Sequence, residues 1–236
     1  MLCNRKYWYF VSLFAAISVI LILGFAADGF VDVFTQSQSL RSRTCVIIDA
    51  GHGGVDGGAI SCTGAVESQI NLEIALRLND LLHLLGIKTK MIRTTDISIY
   101  TSGDTIAAKK VSDLKERVRI VNSTESAILV SIHQNYFSDS KYRGAQVFYR
   151  DNDLDLAKQL QNSFSKTINM TGNRNAKRGE GIYLLKHTRC TAALIECGFL
   201  SNPQEEKLLR SPEYQKNLCC IIGTTLSCYI QNLTAT

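Results

Sequence analysis

Three apolar, strand-like runs of this 236-residue chain end at or just before a side chain that can bind a metal or move a proton. The first run leads to His52, the second to His133 and the third to Glu196. A fourth candidate, Glu67, begins the first predicted helix, just after the loop that carries His52. Ligands of open α/β sheets bind outside the carboxyl ends of the strands, so these side chains can meet in one crevice although they are distant in sequence.

Two imidazoles and a carboxylate are a sufficient ligand set for a catalytic Zn²⁺ with one open position. Water in that position can approach a pKa of about 7, and the metal also polarises a carbonyl. A single strand-end histidine more often makes a structural hydrogen bond, and Glu67 is also a residue that a helix dipole favours at a helix start. Of the four histidines, however, two occupy equivalent strand-end positions. Asp49 and Asp56 are more often turn formers than ligands, and the alternative is that one of them orients a histidine.

Strand-like and helical segments alternate along the chain and must position these residues. They predict a single α/β layered domain over residues 44–236, with a mainly parallel twisted sheet flanked by helices. The predicted strands are 45–48, 87–93, 127–132, 144–149, 182–185 and 192–195. The predicted helices are 67–85, 111–122, 154–168, one that Asn202 and Pro203 open with Glu205 completing a capping box, and one that Ser211 and Pro212 open. The polar segments 94–110 and 170–181 are expected to be loops that line a substrate groove.

The N-terminal segment predicts export. Arg5 and Lys6 precede an apolar run over residues 7–27, which at about 1.5 Å per residue is long enough to cross a bilayer as a helix. Residues 1–27 are therefore expected to be a signal peptide or a membrane anchor, and residues 28–43 a polar linker. The domain is expected to be extracytoplasmic, either secreted or held at the membrane through residues 7–27 if these are not cleaved.

Charge and composition exclude several other classes of protein. The chain has 26 Lys and Arg against 21 Asp and Glu, a balance too mild for a protein that tracks phosphates, so nucleic acid is not an expected partner. A content of 45% hydrophobic and 20% charged residues excludes collagen-like and wholly disordered chains. The eight cysteines include no C-x-x-C pair, and they are expected to be free thiols rather than disulfides or zinc ligands.

Four ordered blocks of the sequence resemble the zinc-dependent N-acetylmuramoyl-L-alanine amidases of the family 3 type. The blocks are DAGHGGVDGGA from Asp49, Glu67 alone, SIHQN from Ser131 and IECGFLSN from Ile195. The resemblance implies that His52, Glu67 and His133 bind zinc and that Glu196 is the catalytic carboxylate. It also implies hydrolysis of the amide between N-acetylmuramic acid and L-alanine, so the expected partners are the glycan and the stem peptide of peptidoglycan.

The short domain and residues 144–149 are similar to the spore-cortex, germination-specific members of that family. This implies a step toward muramic-δ-lactam, which a separate deacetylase completes, and a location between the membranes of the developing spore. Two departures are Cys190, where family members often have proline, and Cys197, directly after Glu196. There is no long insertion between His133 and Glu196, so self-inhibition by an occluding helix is not expected. The need for a protein activator is left open.

Two alternative functions use the same residues. One is a zinc carboxypeptidase-like peptidase acting on cell-wall peptides, which needs a cation for a terminal carboxylate, and Arg93, Arg143 and Arg178 are available. The other is a noncatalytic wall-binding protein with a degenerate site. Release of an intact stem peptide favours the amidase, and release of a terminal amino acid favours the peptidase.

Overall fold

The computed structural model describes residues 44–169 and 174–233. Within this part of the chain, six strands form one sheet in the order β2-β1-β3-β6-β4-β5. The strands are β1 (Cys45–Ala50), β2 (Lys88–Met91), β3 (Ala127–Asn135), β4 (Gln146–Tyr149), β5 (Lys177–Arg178) and β6 (Thr191–Phe199). Strand β4 runs antiparallel to β6, and the other neighbouring pairs are parallel. The expected mainly parallel sheet is therefore confirmed.

Helices cover both faces of the sheet, which makes a three-layer α/β domain. The helices are α1 (Glu67–Leu84), α2 (Ile106–Asn122), α3 (Leu154–Thr167), α4 (Tyr183–His187), α5 (Pro203–Leu209) and α6 (Pro212–Asn232). Residues of α1, α3 and α6 share one hydrophobic core with the sheet, and residues of α2 and α4 share a second core on the opposite face.

Strand β1 shows how the sequence builds these two cores. Val46 and Ile48 belong to the core of α1, α3 and α6, whereas Ile47 belongs to the core of α2 and α4. Successive side chains of a strand point to opposite faces, so a strand covered on both sides must be apolar throughout. All six residues of β1 are buried, and all of them except Asp49 are apolar.

The prediction of a strand at residues 182–185 is wrong, because these residues form the start of helix α4. Leu184 and Leu185 are both buried, and both belong to the core of α2 and α4. A strand would point these neighbours to opposite faces, whereas a helical turn lets both pack on the same side. Four apolar residues are too few for their spacing to distinguish the two structures.

The polar segments also contain more regular structure than predicted. Helix α2 begins at Ile106 rather than at Val111, because the side chain of Thr105 accepts a hydrogen bond from the backbone N–H of Ala108 at 3.1 Å. A threonine at this position satisfies a free N–H of the first helical turn. Strand β5 lies inside the second segment that was predicted as a loop.

Two features were predicted at the start of α5, a cap by Asn202 and a capping box completed by Glu205, and the structure contains only the first. The side chain of Asn202 accepts hydrogen bonds from the backbone N–H groups of Gln204 and Glu205, both at 3.1 Å, which confirms the predicted cap. The predicted capping box is wrong, because the Glu205 carboxylate accepts from the N–H of Gly144 at 2.7 Å and of Phe199 at 2.8 Å. Glu205 thereby satisfies the N–H of Gly144, just before β4, and the N–H of Phe199, the last residue of β6, instead of its own helix end.

The predicted signal peptide or anchor at residues 1–27, its hydrophobic helix and the linker at 28–43 lie outside the described residues. Across residues 44–169 and 174–233, no helix has both the length and the apolar character that a membrane span needs.

Candidate active site

His52, Glu67 and His133 lie together at the carboxyl ends of β1 and β3. The Oε1 atom of Glu67 is 3.3 Å from Nε2 of His52 and 3.1 Å from Nδ1 of His133. The three potential ligand atoms all lie within 4.8 Å of one another. Glu67 is buried and the two imidazoles are partly exposed, so the cluster is open to solvent on the side of the rings.

Strand register and a positioned loop bring the two histidines to the same edge of the sheet. β1 and β3 pair in parallel, with Ala50 opposite Ile132, so the next residues of each strand reach the edge together. His52 has a φ of 59°, in the left-handed region that few residues other than glycine adopt. Arg117 of α2 donates a hydrogen bond from Nη2 to the carbonyl oxygen of His52 at 2.7 Å, which helps to hold this strained backbone.

Two glycines of the 51–58 loop allow the close approach of the cluster residues. A Cβ atom on Gly51 would lie 2.2 Å from Nε2 of His133. A Cβ atom on Gly58 would lie 2.5 Å from Oε2 of Glu67 and 2.8 Å from Cδ2 of His52. Because glycine has no side chain, the loop packs against His133, Glu67 and His52 more closely than any other residue would allow at these two positions.

Asp56 orients the ring of His52. Its Oδ2 atom is 2.9 Å from Nδ1 of His52, which leaves Nε2 of the same ring facing Glu67. Its Oδ1 atom is 2.7 Å from Nζ of Lys110 and also accepts from the N–H of Gly58 at 3.2 Å. Burial alone would lower the pKa of His52, but the hydrogen bonds to Asp56 and Glu67 outweigh it and raise the pKa to about 9. Of the two roles considered for Asp56, the structure supports the orientation of a histidine.

Glu67 is held in place as a carboxylate by backbone and side-chain donors. Its Oε2 accepts from the N–H of Ala59 at 2.9 Å, and its Oε1 accepts from Nδ2 of Asn71 at 3.2 Å and from the N–H of Gln134 at 3.1 Å. Burial would raise the pKa of Glu67, but the contacts with the two imidazoles outweigh burial and hold it far below its usual range. The glutamate is therefore ionised and fixed in orientation, as a metal ligand requires.

Glu196 lies beside this cluster with a free carboxylate oxygen. The register of β3 and β6 pairs His133 with Glu196, and both residues lie inside their strands, because the strands continue beyond the predicted ends. Burial raises the pKa of Glu196 to about 7, with the neighbouring charge of Glu67 adding to the shift. Its Oε2 atom is buried and has no hydrogen-bond partner among the described residues. A buried carboxylate oxygen without a partner is uncommon, and it suits a group that exchanges protons with a substrate.

The expectation that Asp49 forms a turn is wrong. Asp49 is a buried residue of β1 that forms an ion pair with Arg117 and accepts a hydrogen bond from Ser131 at 2.6 Å. Sequence reasoning missed Arg117, although it lies on the same helical face as Leu114 and Val121, where an apolar residue would be expected. This placement was the available signal, because a basic residue on a buried helix face needs an acidic partner.

Arg93 does not serve as the carboxylate-binding residue of the peptidase alternative. It is buried, and its guanidinium donates to the carbonyl oxygens of Ala50 at 2.8 Å, Gly51 at 3.0 Å and Ser68 at 2.8 Å. These bonds fasten the loop after β1 to the start of α1. Arg93 is thus committed to positioning the backbone of the site.

The cysteines are free thiols, as expected: all seven within the described residues are unpaired. Cys197 follows Glu196 directly but points to the opposite face of β6, into the core of α1, α3 and α6. Burial raises the pKa of its thiol well above the ordinary value. Cys197 therefore packs as a small apolar residue and is no ligand of the cluster.

The donor set of the cluster fits a divalent metal. Two imidazole nitrogens and one carboxylate oxygen are a known ligand set of catalytic zinc. His52 also shows the usual arrangement of a metal-binding histidine, in which the second ring nitrogen is hydrogen-bonded to a carboxylate. His52, Glu67 and His133 can therefore hold a metal ion.

Comparison with known proteins identifies the family. Residues 46–226 match the Amidase_3 family, described as N-acetylmuramoyl-L-alanine amidase. The germination-specific N-acetylmuramoyl-L-alanine amidase of Bacillus subtilis strain 168 is 37% identical over 185 residues, which is 77% of this chain and 77% of that protein.

Solved structures agree with the sequence match. The CwlD amidase of Clostridioides difficile, solved in complex with the GerS lipoprotein, has a TM-score of 0.76 and 38% identity, covering 79% of this chain and 98% of that one. An N-acetylmuramoyl-L-alanine amidase of Clostridium difficile 630 has a TM-score of 0.69 and 29% identity, covering 79% and 96%. These similarities favour amide hydrolysis over the peptidase and the noncatalytic alternatives. The chain belongs to the N-acetylmuramoyl-L-alanine amidase family and is a hydrolase of the amide bond between N-acetylmuramic acid and L-alanine in peptidoglycan.

Proposed function

We propose that this amidase is zinc-dependent, that His52, Glu67 and His133 hold the ion, and that Glu196 is the catalytic carboxylate. The observation that carries the proposal is the cluster itself, whose three ligand atoms lie within 4.8 Å of one another beside a buried carboxylate. A structural role alone would not require two imidazoles around one ionised glutamate next to an unpartnered carboxylate oxygen.

When bound, zinc lowers the pKa of a water molecule in its open position and polarises a carbonyl oxygen. Nε2 of His52, Oε1 of Glu67 and Nδ1 of His133 are the atoms that face one another and would hold the ion. Glu196, as a carboxylate, accepts a proton from the water that attacks the amide carbon. It then donates that proton to the nitrogen of L-alanine, so that the C–N bond breaks with release of a neutral amine rather than an amide anion.

Two variants test these roles separately. Glu196→Gln should retain its metal and lose about 10²–10⁴-fold in turnover of a muropeptide, because only the proton transfer is removed. His133→Ala should lose the metal, which elemental analysis of the purified protein measures directly. Glu125→Gln changes an exposed glutamate in the same way and serves as the control for the charge change. Near-normal turnover of Glu196→Gln would exclude it from the mechanism, and a full equivalent of metal in His133→Ala would exclude that ligand.

We further propose that the enzyme acts in the spore cortex. Its similarity to a germination-specific amidase supports this role. Removal of the stem peptide frees the lactyl carboxyl group of muramic acid, which a separate deacetylase then allows to close as muramic-δ-lactam. Cortex from a strain that lacks the gene should contain no lactam, and the Glu196→Gln variant should fail to restore it. Normal lactam content in the deletion strain would contradict the cortex role without affecting the amidase function.

An extracytoplasmic location with a protein partner is the remaining part of the proposal. The related amidases act on the cell wall, and the apolar run over residues 7–27 supports export, either as a cleaved signal or as an anchor. The CwlD amidase was solved with a lipoprotein bound, which supports a protein partner for this chain as well. Full metal content and full turnover of the purified chain on its own would argue against a required activator.

A further inference from the structure

A basic groove lies beside Glu196, over strands β4 and β5. The register of the sheet pairs Glu196 with Gln146 of β4, and it pairs Phe148 of β4 with Lys177 of β5. Paired residues of neighbouring strands point to the same face of a sheet, so these side chains share the face of Glu196. Gln146, Phe148 and Lys177 line a cavity of about 680 Å³, which is within the size range of small-molecule sites.

The charge of the basic groove is one-sided. Lys141, Arg143, Arg174 and Lys177 line it, and no aspartate or glutamate is among its lining residues in the part of the chain that the structure describes. Lys141 forms an ion pair with Asp139 at 2.7 Å, outside the groove. The carboxylate of Glu205, which is not among the lining residues, is close enough to interact with the charges of Arg143 and Arg174. Lys177 is therefore the cation on which the recognition of an anionic ligand would depend most, with Arg174 beside it.

Arg174 is held in a fixed orientation. Its Nε and Nη2 donate to the carbonyl oxygen of Arg143 at 2.9 and 2.7 Å, and its Nη1 donates to Oε1 of Gln146 at 3.3 Å. Its guanidinium also lies over the ring of Phe199, 5.0 Å from the centroid. These bonds use three of the five N–H groups of the guanidinium, so two remain for a carboxylate. A cation that is already oriented loses little freedom when it binds a ligand.

The distance from the reacting bond selects the part of the substrate that would reach the groove. Lys177 is two strands from Glu196, about 10 Å across the sheet, and two residues along, about 7 Å, which together give about 12 Å. An extended peptide covers about 3.3–3.6 Å per residue. L-alanine, the first residue of the stem peptide, lies at the reacting bond, and the side chain of Lys177 spans part of the remaining distance. The groove therefore lies opposite the second or third residue of the stem peptide.

We propose that the basic groove binds a free carboxylate on the second or third residue of the stem peptide, and that Lys177 and Arg174 determine the preference for it. The inference rests on the active site proposed above, because that site sets where the peptide begins. It extends the amidase function by naming the feature of the stem peptide that the enzyme selects.

The test compares three muropeptides that differ only in one carboxylate: the free acid, the form amidated at the second residue and the form amidated at the third. The wild-type enzyme should show about tenfold higher kcat/KM for the free acid than for one of the amidated forms. Lys177→Ala should lower kcat/KM on the free acid by about fivefold, the upper range for one exposed ion pair, and leave that amidated form unchanged. Lys177→Arg should restore the preference. Lys158→Ala is the matched control, since it removes an exposed lysine from α3 on the opposite face of the sheet.

Several outcomes would overturn the inference. Equal kcat/KM of the wild-type enzyme on all three muropeptides would show that no carboxylate is selected. An equal loss on free and amidated substrates in Lys177→Ala would show a structural role for Lys177. If the metal-loaded wild-type enzyme hydrolyses none of the three muropeptides, the proposed active site is refuted, and the role of the groove is refuted with it. Hydrolysis of all three without preference would refute only the role of the groove.

Discussion

Replacing Asp56 with alanine should weaken metal binding although it removes none of the three proposed ligands. Oδ2 of Asp56 lies 2.9 Å from Nδ1 of His52, and Nε2 of the same ring lies 3.3 Å from Oε1 of Glu67. One ring nitrogen therefore contacts the Asp56 carboxylate, and the other faces Glu67, where the proposed metal would bind. Without Asp56 the ring loses the acceptor that fixes its rotation and its tautomer.

Two effects of opposite sign determine the magnitude. Loss of such a supporting carboxylate typically weakens metal binding by about 10–100-fold, or about 1.4–2.7 kcal/mol. Against this, Asp56 also helps to raise the pKa of His52 to about 9, after burial has lowered it. At about pH 7 a proton on that imidazole competes with the metal by about 100-fold, and part of this competition disappears in the variant. The loss of affinity should therefore be small at about pH 7 and about tenfold or more at about pH 9, where the proton competes by only about twofold.

The measurement is a competition between the metal-free protein and a chelating indicator at both pH values. Asp56→Asn separates shape from charge, because its amide oxygen can still accept a hydrogen bond from Nδ1, and it should fall between wild type and Asp56→Ala. Asp104→Ala, in an exposed loop position, controls for the loss of one carboxylate. If Asp56→Ala bound metal as tightly as Asp104→Ala at the higher pH, the assignment of His52 as an oriented ligand would be refuted.

Three further predictions concern the proton acceptor, the loop and the buried ion pair. Burial raises the pKa of Glu196 to about 7, and the carboxylate is the active form, so kcat/KM should fall as the pH drops below this value. A bound cation would shift this fall to lower pH. A pH–rate profile that stays flat down to about pH 5 would contradict the role of Glu196. Gly51→Ala should leave the protein folded by circular dichroism but poor in metal, since its Cβ would lie 2.2 Å from Nε2 of His133, and a full metal equivalent would refute it. Arg117→Ala should reduce the free energy of unfolding in urea by about 3–5 kcal/mol, because Asp49 is left buried without its partner; a loss below about 1 kcal/mol would mean that water replaces the guanidinium.

Local sequence patterns were sufficient for most of the fold. The continuous apolar runs of β1, β3 and β6 indicate strands covered on both faces, and the spacing of Ile70, Ile74 and Leu78 indicates helix α1, whose buried face they form. The same patterns failed at residues 182–185, where the apolar run is too short to distinguish a strand from a turn of helix. They also failed at Glu205, whose carboxylate binds strand-end N–H groups rather than its own helix end.

The sequence by itself determined the fold class and the positions of His52, His133 and Glu196 near strand ends, because the carboxyl ends of parallel strands meet at one edge of a sheet. Only the tertiary structure decided which of two nearby aspartates supports the site. Asp56 turns to Nδ1 of His52, whereas Asp49 pairs with an arginine 68 positions away. Both aspartates have the same side chain, and they lie on either side of His52 in the sequence. Their partners depend on strand register and on the docking of α2 against the sheet, and no local pattern of residues encodes those long-range contacts.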